Sequence, residues 1–149
     1  MKGKNDTMID INDDILLRKI LMQHFTDPNN KGLKNLKNSQ IIDAKSQTCA
    51  DEMQIEVQIE NNIFKELNFE GTACAVATAS ADIFFNLIKK KSIKEVSKII
   101  NKYKYFLNTG VTDEIEILGE LIVFKNINKQ KNRILCANLA IDAINKIIE

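Results

Sequence analysis

Met53-Gln54-Ile55-Glu56-Val57-Gln58-Ile59-Glu60 alternates apolar and polar residues without a break. A period of two sets Met53, Ile55, Val57 and Ile59 on one face of a strand and the polar side chains on the other. Asn61-Asn62 follows, and asparagine tolerates the left-handed conformation of a tight hairpin turn. Residues 63–69 then read as the return strand, with Leu67 and Phe69 on one face and Gly71 ending it. Residues 40–44 read as a weaker third strand. A short antiparallel sheet with one apolar face needs helices to cover that face.

The flanking sequence supplies them. Asn12 or Asp13 caps a first helix to Phe25 with an apolar stripe of Leu16, Leu17, Ile20, Leu21 and Phe25. Pro28 and Gly32 stop it, and residues 33–39 form a polar loop. From Cys74 onward, small residues allow a helix to approach the sheet closely, before Ile83, Phe84, Leu87 and Ile88 add bulk. Ser92 with Glu95 is a capping box for a helix striped by Ile93, Val96, Ile99, Ile100 and Tyr103, broken at Thr109-Gly110. Residues 118–127 fit a short helix or a strand, and 128–132 a polar loop. A last helix after Cys136 turns Leu139, Ala140, Ala143, Ile144 and Ile147 inward. The expectation is one α+β domain over residues 1–149: a three-stranded antiparallel sheet with helices on one face, and a flexible N-terminus over residues 1–12.

Composition narrows the function. The 149 residues carry a net charge of +1, so no global field favours nucleic acid or an anionic membrane. No apolar run approaches the roughly 20 residues that span a bilayer, and residues 1–14 lack the apolar centre of a signal peptide. The cytoplasm is the expected compartment. There, the three cysteines stand as thiols or metal ligands rather than disulfides.

Those cysteines fall where one kind of local structure gives way to another. Cys49 and Asp51 are two residues apart, so in extended chain both point to one side. Cys74 and Cys136 each read as opening a helix, where unpaired N–H groups and the positive dipole end favour thiolate. Three thiols and one carboxylate, Cys49, Asp51, Cys74 and Cys136, make four ligands for zinc or an iron–sulfur cluster. The carboxylate is the weak member, which suggests a site that exchanges its contents. The plain alternative is that all three cysteines are small buried apolar residues. His24, the single histidine, reads as a buried or docking residue, the ligand set being complete without it. Arg133, three residues before Cys136, could steady an anionic sulfur or simply pair with a carboxylate. The lysines between Lys89 and Lys104 read first as a solvated face, then as a docking surface for an acidic partner.

Three motifs in order carry a resemblance: Gln23-His24-Phe25-Thr26-Asp27-Pro28-Asn29-Asn30-Lys31-Gly32; Thr48-Cys49-Ala50-Asp51; and Phe69-Glu70-Gly71-Thr72-Ala73-Cys74 with Ala79-Ser80. Arg133-Ile134-Leu135-Cys136-Ala137 completes them. The chain resembles the NifU N-terminal/IscU/SufU family of iron–sulfur assembly proteins, over nearly all of residues 14–148. IscU proteins place a His before the last cysteine and carry a Leu-Pro-Pro-Val-Lys segment. Here Leu135 precedes Cys136, and Pro28 is the only proline. Residues 107–131 look like the insertion of SufU proteins, and Arg133 matches their arginine. Ala50 and Ala73 stand where the family commonly has glycine.

The resemblance implies a NifU-like fold and zinc held by Cys49, Asp51, Cys74 and Cys136. It further implies a persulfide sulfur taken by Cys49 from a pyridoxal-phosphate cysteine desulfurase of the SufS kind, Arg133 assisting, and handed on to downstream iron–sulfur assembly or acceptor proteins. No independent enzymatic activity is expected, since no acid or base beyond Asp51 sits with the cysteines, and neither nucleic acid nor membrane is an expected partner. Two alternatives stay open: a scaffold assembling a [2Fe–2S] cluster or holding iron on the same four residues, and a zinc-stabilised adaptor without sulfur chemistry.

Overall fold

The computed structural model describes residues 9–46 and 50–149. Helix α1 spans Asp14–Thr26. Strands β1 (Gln40–Lys45), β2 (Glu52–Glu60) and β3 (Ile63–Thr72) pair antiparallel in the order β1-β2-β3. Helices α2 (Ala75–Ile88), α3 (Ile93–Thr109) and the single turn α4 (Ile115–Leu118) follow. Two 3-10 segments, Gly119–Phe124 and Ile127–Lys129, lead to α5 (Lys131–Ala137) and α6 (Leu139–Ile148).

The hairpin forms as its alternation predicts. Asn61 and Asn62 both take positive φ, and Met53, Ile55 and Val57 are buried. The strand β3 runs past Phe69 to Thr72, because Gly71 extends it with φ +128° rather than ending it. Glu52 thereby pairs with Thr72, and Met53 with Gly71. The register has a consequence for the site: Asp51 and Cys74 flank the same open end of the hairpin. A Cβ on Gly71 would lie 2.4 Å from the Glu52 carbonyl oxygen and 3.0 Å from the Met53 Cα. Gly71→Ala therefore adds a positive-φ penalty to a backbone collision, and a loss of about 3 kcal/mol in unfolding free energy is expected. Urea titration measures it, and an unshifted midpoint would contradict the close approach.

One core joins the sheet to its helices. The small residues at the start of α2, Ala77, Ala79 and Ala81, are buried, as are Phe84 and Phe85. Helix α3 carries the expected capping box: Glu95 N–H donates to Ser92 Oγ at 3.1 Å and Ser92 N–H to Glu95 Oε1 at 3.0 Å. Gly110 ends it in the left-handed conformation. Asp13 caps α1, its Oδ1 accepting from Leu16 N–H at 3.1 Å.

Four readings change. On α1 the buried residues are Leu17, Ile20 and His24, with Leu16 and Leu21 half-buried and Phe25 exposed, because His24 has partners deeper in the fold. The ambiguous segment at 118–127 is 3-10 helix over Gly119–Phe124, and part of the expected loop at 128–132 is helical, α5 starting at Lys131. Within the N-terminus expected to be flexible, residues 1–8 lie outside the described residues. Ile9 and Ile11 pack against the core, and Lys125 Nζ donates to the Ile11 carbonyl at 2.5 Å. Glu56 sits on the polar face of β2 but is completely buried. The loop after Gly32 folds over it: Lys34 N–H, Leu36 N–H and Ser39 Oγ donate to its carboxylate at 2.7, 2.6 and 2.9 Å. Burial pushes this carboxyl up, and those donors outweigh the burial and hold it below its ordinary value.

Candidate metal centre

The open end of the hairpin, the start of α2 and the end of α5 meet at one point. Ligand atoms of Asp51, Cys74 and Cys136 all lie within 4.8 Å of one another. Two zinc–sulfur bonds of about 2.3 Å in a tetrahedral site place their sulfurs about 3.8 Å apart, so the spacing suits one ion. The donor set, two sulfurs and a carboxylate oxygen, suits zinc and leaves room for a further ligand. Cys49 lies outside the described residues. Ser46 N–H donates to the Asp51 carbonyl at 3.0 Å, which pins together the two ends of the segment containing it.

Each ligand is held by local structure. Cys74 is the N-cap of α2 in extended conformation (φ −68°, ψ 170°), and its Sγ accepts from Ala77 N–H at 3.4 Å. Its own N–H donates to Asp51 Oδ1 at 2.8 Å, so Asp51, itself buried, ties the strand end to the helix start. Ala73 is not among the residues with positive φ, so its methyl group adds no backbone strain there.

At Cys74 the expected low thiol pKa is not found. Burial pushes the Cys74 thiol up and neighbouring Asp51 adds to that rise, while the Ala77 N–H and Cys136 pull it down by less. Nor does Cys136 open a helix. It is the penultimate residue of α5, and α6 begins separately at Leu139 with Asn138 between them. The positive dipole end invoked for it is therefore absent. What Cys136 has instead is burial and proximity to the other ligands.

The remaining sequence candidates fall elsewhere. Arg133 is exposed on α5, its Nε donating to Gln130 Oε1 at 2.7 Å. Leu135 stands half exposed beside a groove of about 680 Å³ between β1 and α6, which ends at Ser46. His24 is a linker between elements: Nδ1 lies 2.6 Å from Asp82 Oδ2 and Nε2 3.0 Å from Glu120 Oε1. Hydrogen bonds to Asp82 first, then to Glu120, raise its pKa from 6.5 to about 9. Several of the lysines are paired, Lys102 with Asp113 and Glu114, and Lys104 with Asp142.

Sequence reasoning missed Asp82. It is fully buried, and its carboxylate also accepts from Asn29 N–H, Asn30 N–H and Asn30 Nδ2 at 3.0, 2.8 and 2.9 Å. The signal was available: a lone acid among Ala81, Ile83, Phe84 and Phe85 on an apolar helix needs partners.

The model of the NifU-like N-terminal domain matches residues 17–149. The chain belongs to that family. Among curated NifU-like relatives, a zinc-dependent sulfurtransferase SufU of Bacillus subtilis (strain 168) is 29% identical over 133 residues, covering 89% of each chain. An iron–sulfur cluster assembly scaffold protein IscU of Streptococcus pyogenes serotype M1 is 22% identical over 134 residues, covering 90% of this chain and 83% of its own. The fold recurs in the N-terminal part of a nitrogen-fixing NifU-like protein from Brucella abortus, with a TM-score of 0.72 at 15% identity, over 91% of this chain and 92% of that one. Among the described residues, no helix of this NifU-like domain is long and apolar enough to cross a membrane.

Proposed function

We propose that this NifU-like protein is a zinc-dependent sulfur acceptor in iron–sulfur cluster assembly, with Cys49 as the acceptor and Cys49, Asp51, Cys74 and Cys136 as zinc ligands. The observation that carries the reading is the convergence of Asp51, half-buried Cys74 and Cys136 at one point, with Asp51 two residues of chain away from Cys49. The SufU relative and Leu135 in place of a histidine before Cys136 support it.

The chemistry is a thiol exchange. The partner, a pyridoxal-phosphate cysteine desulfurase, presents a cysteine persulfide. The Cys49 thiolate attacks its outer sulfur, a new sulfur–sulfur bond forms on Cys49, and the old one breaks with its electron pair leaving on the partner's cysteine. Bound zinc supplies the positive charge that keeps the thiolates deprotonated until exchange. That supply matters because the apoprotein works against it: burial and the Asp51 carboxylate both favour the Cys74 thiol over its thiolate. Arg133, exposed on α5 near the centre in sequence, is the candidate to steady the anionic sulfur as it arrives. A reducing cytosol, where thiols persist, suits this role.

A cognate desulfurase assay tests the reading. Wild type raises desulfurase turnover, and the Cys49→Ser variant leaves it at the rate of the desulfurase alone. Equal stimulation by both proteins would overturn the acceptor role. Anaerobic reconstitution with iron and sulfide separates the scaffold alternative: tight zinc and no visible charge-transfer absorbance go with the acceptor, and a stable coloured cluster on the four residues with the scaffold.

A further inference from the structure

Ser80 lies in the sequence motif that follows Cys74, and sulfur transfer gives it no task. It is completely buried in the middle of α2, as are Tyr103 on α3 and Ala137 at the end of α5. Ser80 Oγ lies 2.8 Å from the Ala137 carbonyl oxygen and 2.8 Å from Tyr103 Oη. A carbonyl only accepts, so the single Ser80 O–H points at Ala137, and Tyr103 must donate its own O–H to Ser80. The chain of donors therefore has one direction, from α3 through α2 to the backbone of α5. Burying two hydroxyls in a packed core gains little stability over Ala and Phe of similar shape, because desolvation offsets the bonds. What a satisfied buried network does achieve is a unique arrangement of the elements it joins.

The element joined here is the one that carries Cys136. Helix α5 has seven residues and no side-chain N-cap, and it ends at the residue after Cys136. Ala137, the residue that accepts from Ser80, adjoins Cys136 directly. Cys74 caps the same helix that bears Ser80, about 9 Å upstream at 1.5 Å per residue. One rigid helix thus supplies a thiol at its start and, six residues on, the bond that fixes the backbone beside the other thiol. We infer that Ser80, through its bond to the Ala137 carbonyl, is a positioning residue that sets the distance between the Cys74 and Cys136 sulfurs. The inference rests on the metal-centre reading for its purpose, but the placement it describes is a property of the chain itself.

The test measures that placement without metal. In metal-free protein carrying Cys49→Ser, Cys74 and Cys136 are the only thiols, and dibromobimane fluoresces when its two arms bridge them. Ser80→Ala should lower the yield of the bridged product several-fold, and Ser80→Thr, which keeps the hydroxyl, should restore it. Tyr103→Phe opens the same network but keeps the Ser80–Ala137 bond, so its bridging yield should stay near wild type, and urea midpoints of all the variants check that each is folded. In the full chain, Ser80→Ala should weaken zinc binding by about 10- to 100-fold, as loss of a supporting contact does. Bridging at the wild-type yield in Ser80→Ala would overturn the inference. A wild-type chain that takes up no zinc would sink the proposed function instead, and the bridging yields would still decide the role of Ser80.

Discussion

Asp82→Asn lowers the unfolding free energy by about 3–5 kcal/mol, the cost of breaking a buried charged network by removing one partner. The carboxylate is completely buried and receives four donors: Asn29 N–H, Asn30 N–H, Asn30 Nδ2 and the His24 ring. An amide in its place has one acceptor oxygen and turns an NH2 toward groups that also donate. The loss falls on the turn between α1 and the sheet, because Asn30 is also where the chain joins the edge of β3, through Phe69 N–H to the Asn30 carbonyl at 2.9 Å. The pH dependence identifies the mechanism. The folded-state pKa of His24, about 9, stands above its ordinary 6.5, so the pairing stabilises the fold fully below pH 6.5 and is lost as pH rises toward 9. The shift corresponds to about 3 kcal/mol. Urea midpoints at pH 6 and pH 9.5 should therefore differ in wild type and differ by less in Asp82→Asn, where only Glu120 still favours the charged His24. An equal pH dependence in both would show that His24 draws nothing from Asp82.

Removing Asp51 should weaken zinc binding by more than about 100-fold, since loss of a mere supporting partner already costs about 10- to 100-fold. Asp51 acts twice in this centre. One oxygen accepts the Cys74 N–H at 2.8 Å, which seats the N-cap of α2, and the carboxylate lies within 4.8 Å of both sulfurs. Asp51→Ala removes the proposed ligand and the acceptor of the Cys74 N–H. Asp51→Asn keeps an acceptor for the Cys74 N–H and gives up the charge, so its zinc affinity should fall between Asp51→Ala and wild type. Cys74→Ser should match Asp51→Ala, because a hydroxyl is a poor substitute for a soft thiolate. Competition against a chromophoric chelator measures all three. Wild-type affinity in Asp51→Ala and Cys74→Ser together would remove the metal centre from this end of the hairpin.

Local rules read the elements well wherever a segment's own residues fix its conformation. The period of two in β2, the Asn61-Asn62 turn, the Ser92–Glu95 capping box and the Gly110 stop are decided within a few residues, and the structure has all of them. The same rules failed where a distant residue decides. Gly71 looked like a strand end, and only the backbone of Glu52 and Met53 against it shows a strand continuing through a close approach. Glu56 looked solvated, and the loop that buries it arrives from 20 residues earlier in sequence. Phe25 looked like core, and His24 holds the buried position because Asp82 and Glu120 are there to charge it.

The candidate site divides in the same way. Donor character is a matter of side-chain chemistry, so Asp51, Cys74 and Cys136 could be picked from the sequence as candidate soft and hard donors with one weak member. Their electrostatics could not, because a thiol's pKa depends on what surrounds it. The helix-start argument was local: at Cys74 burial raises the thiol more than the Ala77 N–H lowers it, and Cys136 lies at the end of its helix rather than the start. The sequence by itself determined the strand pattern, the caps and the donor set, since each follows from the covalent chain and its nearest neighbours. Only the tertiary structure decided that two thiols and a carboxylate from three separate elements share one point, because that requires the β2–β3 register and the seat of α5 on α2, contacts between residues far apart in the chain.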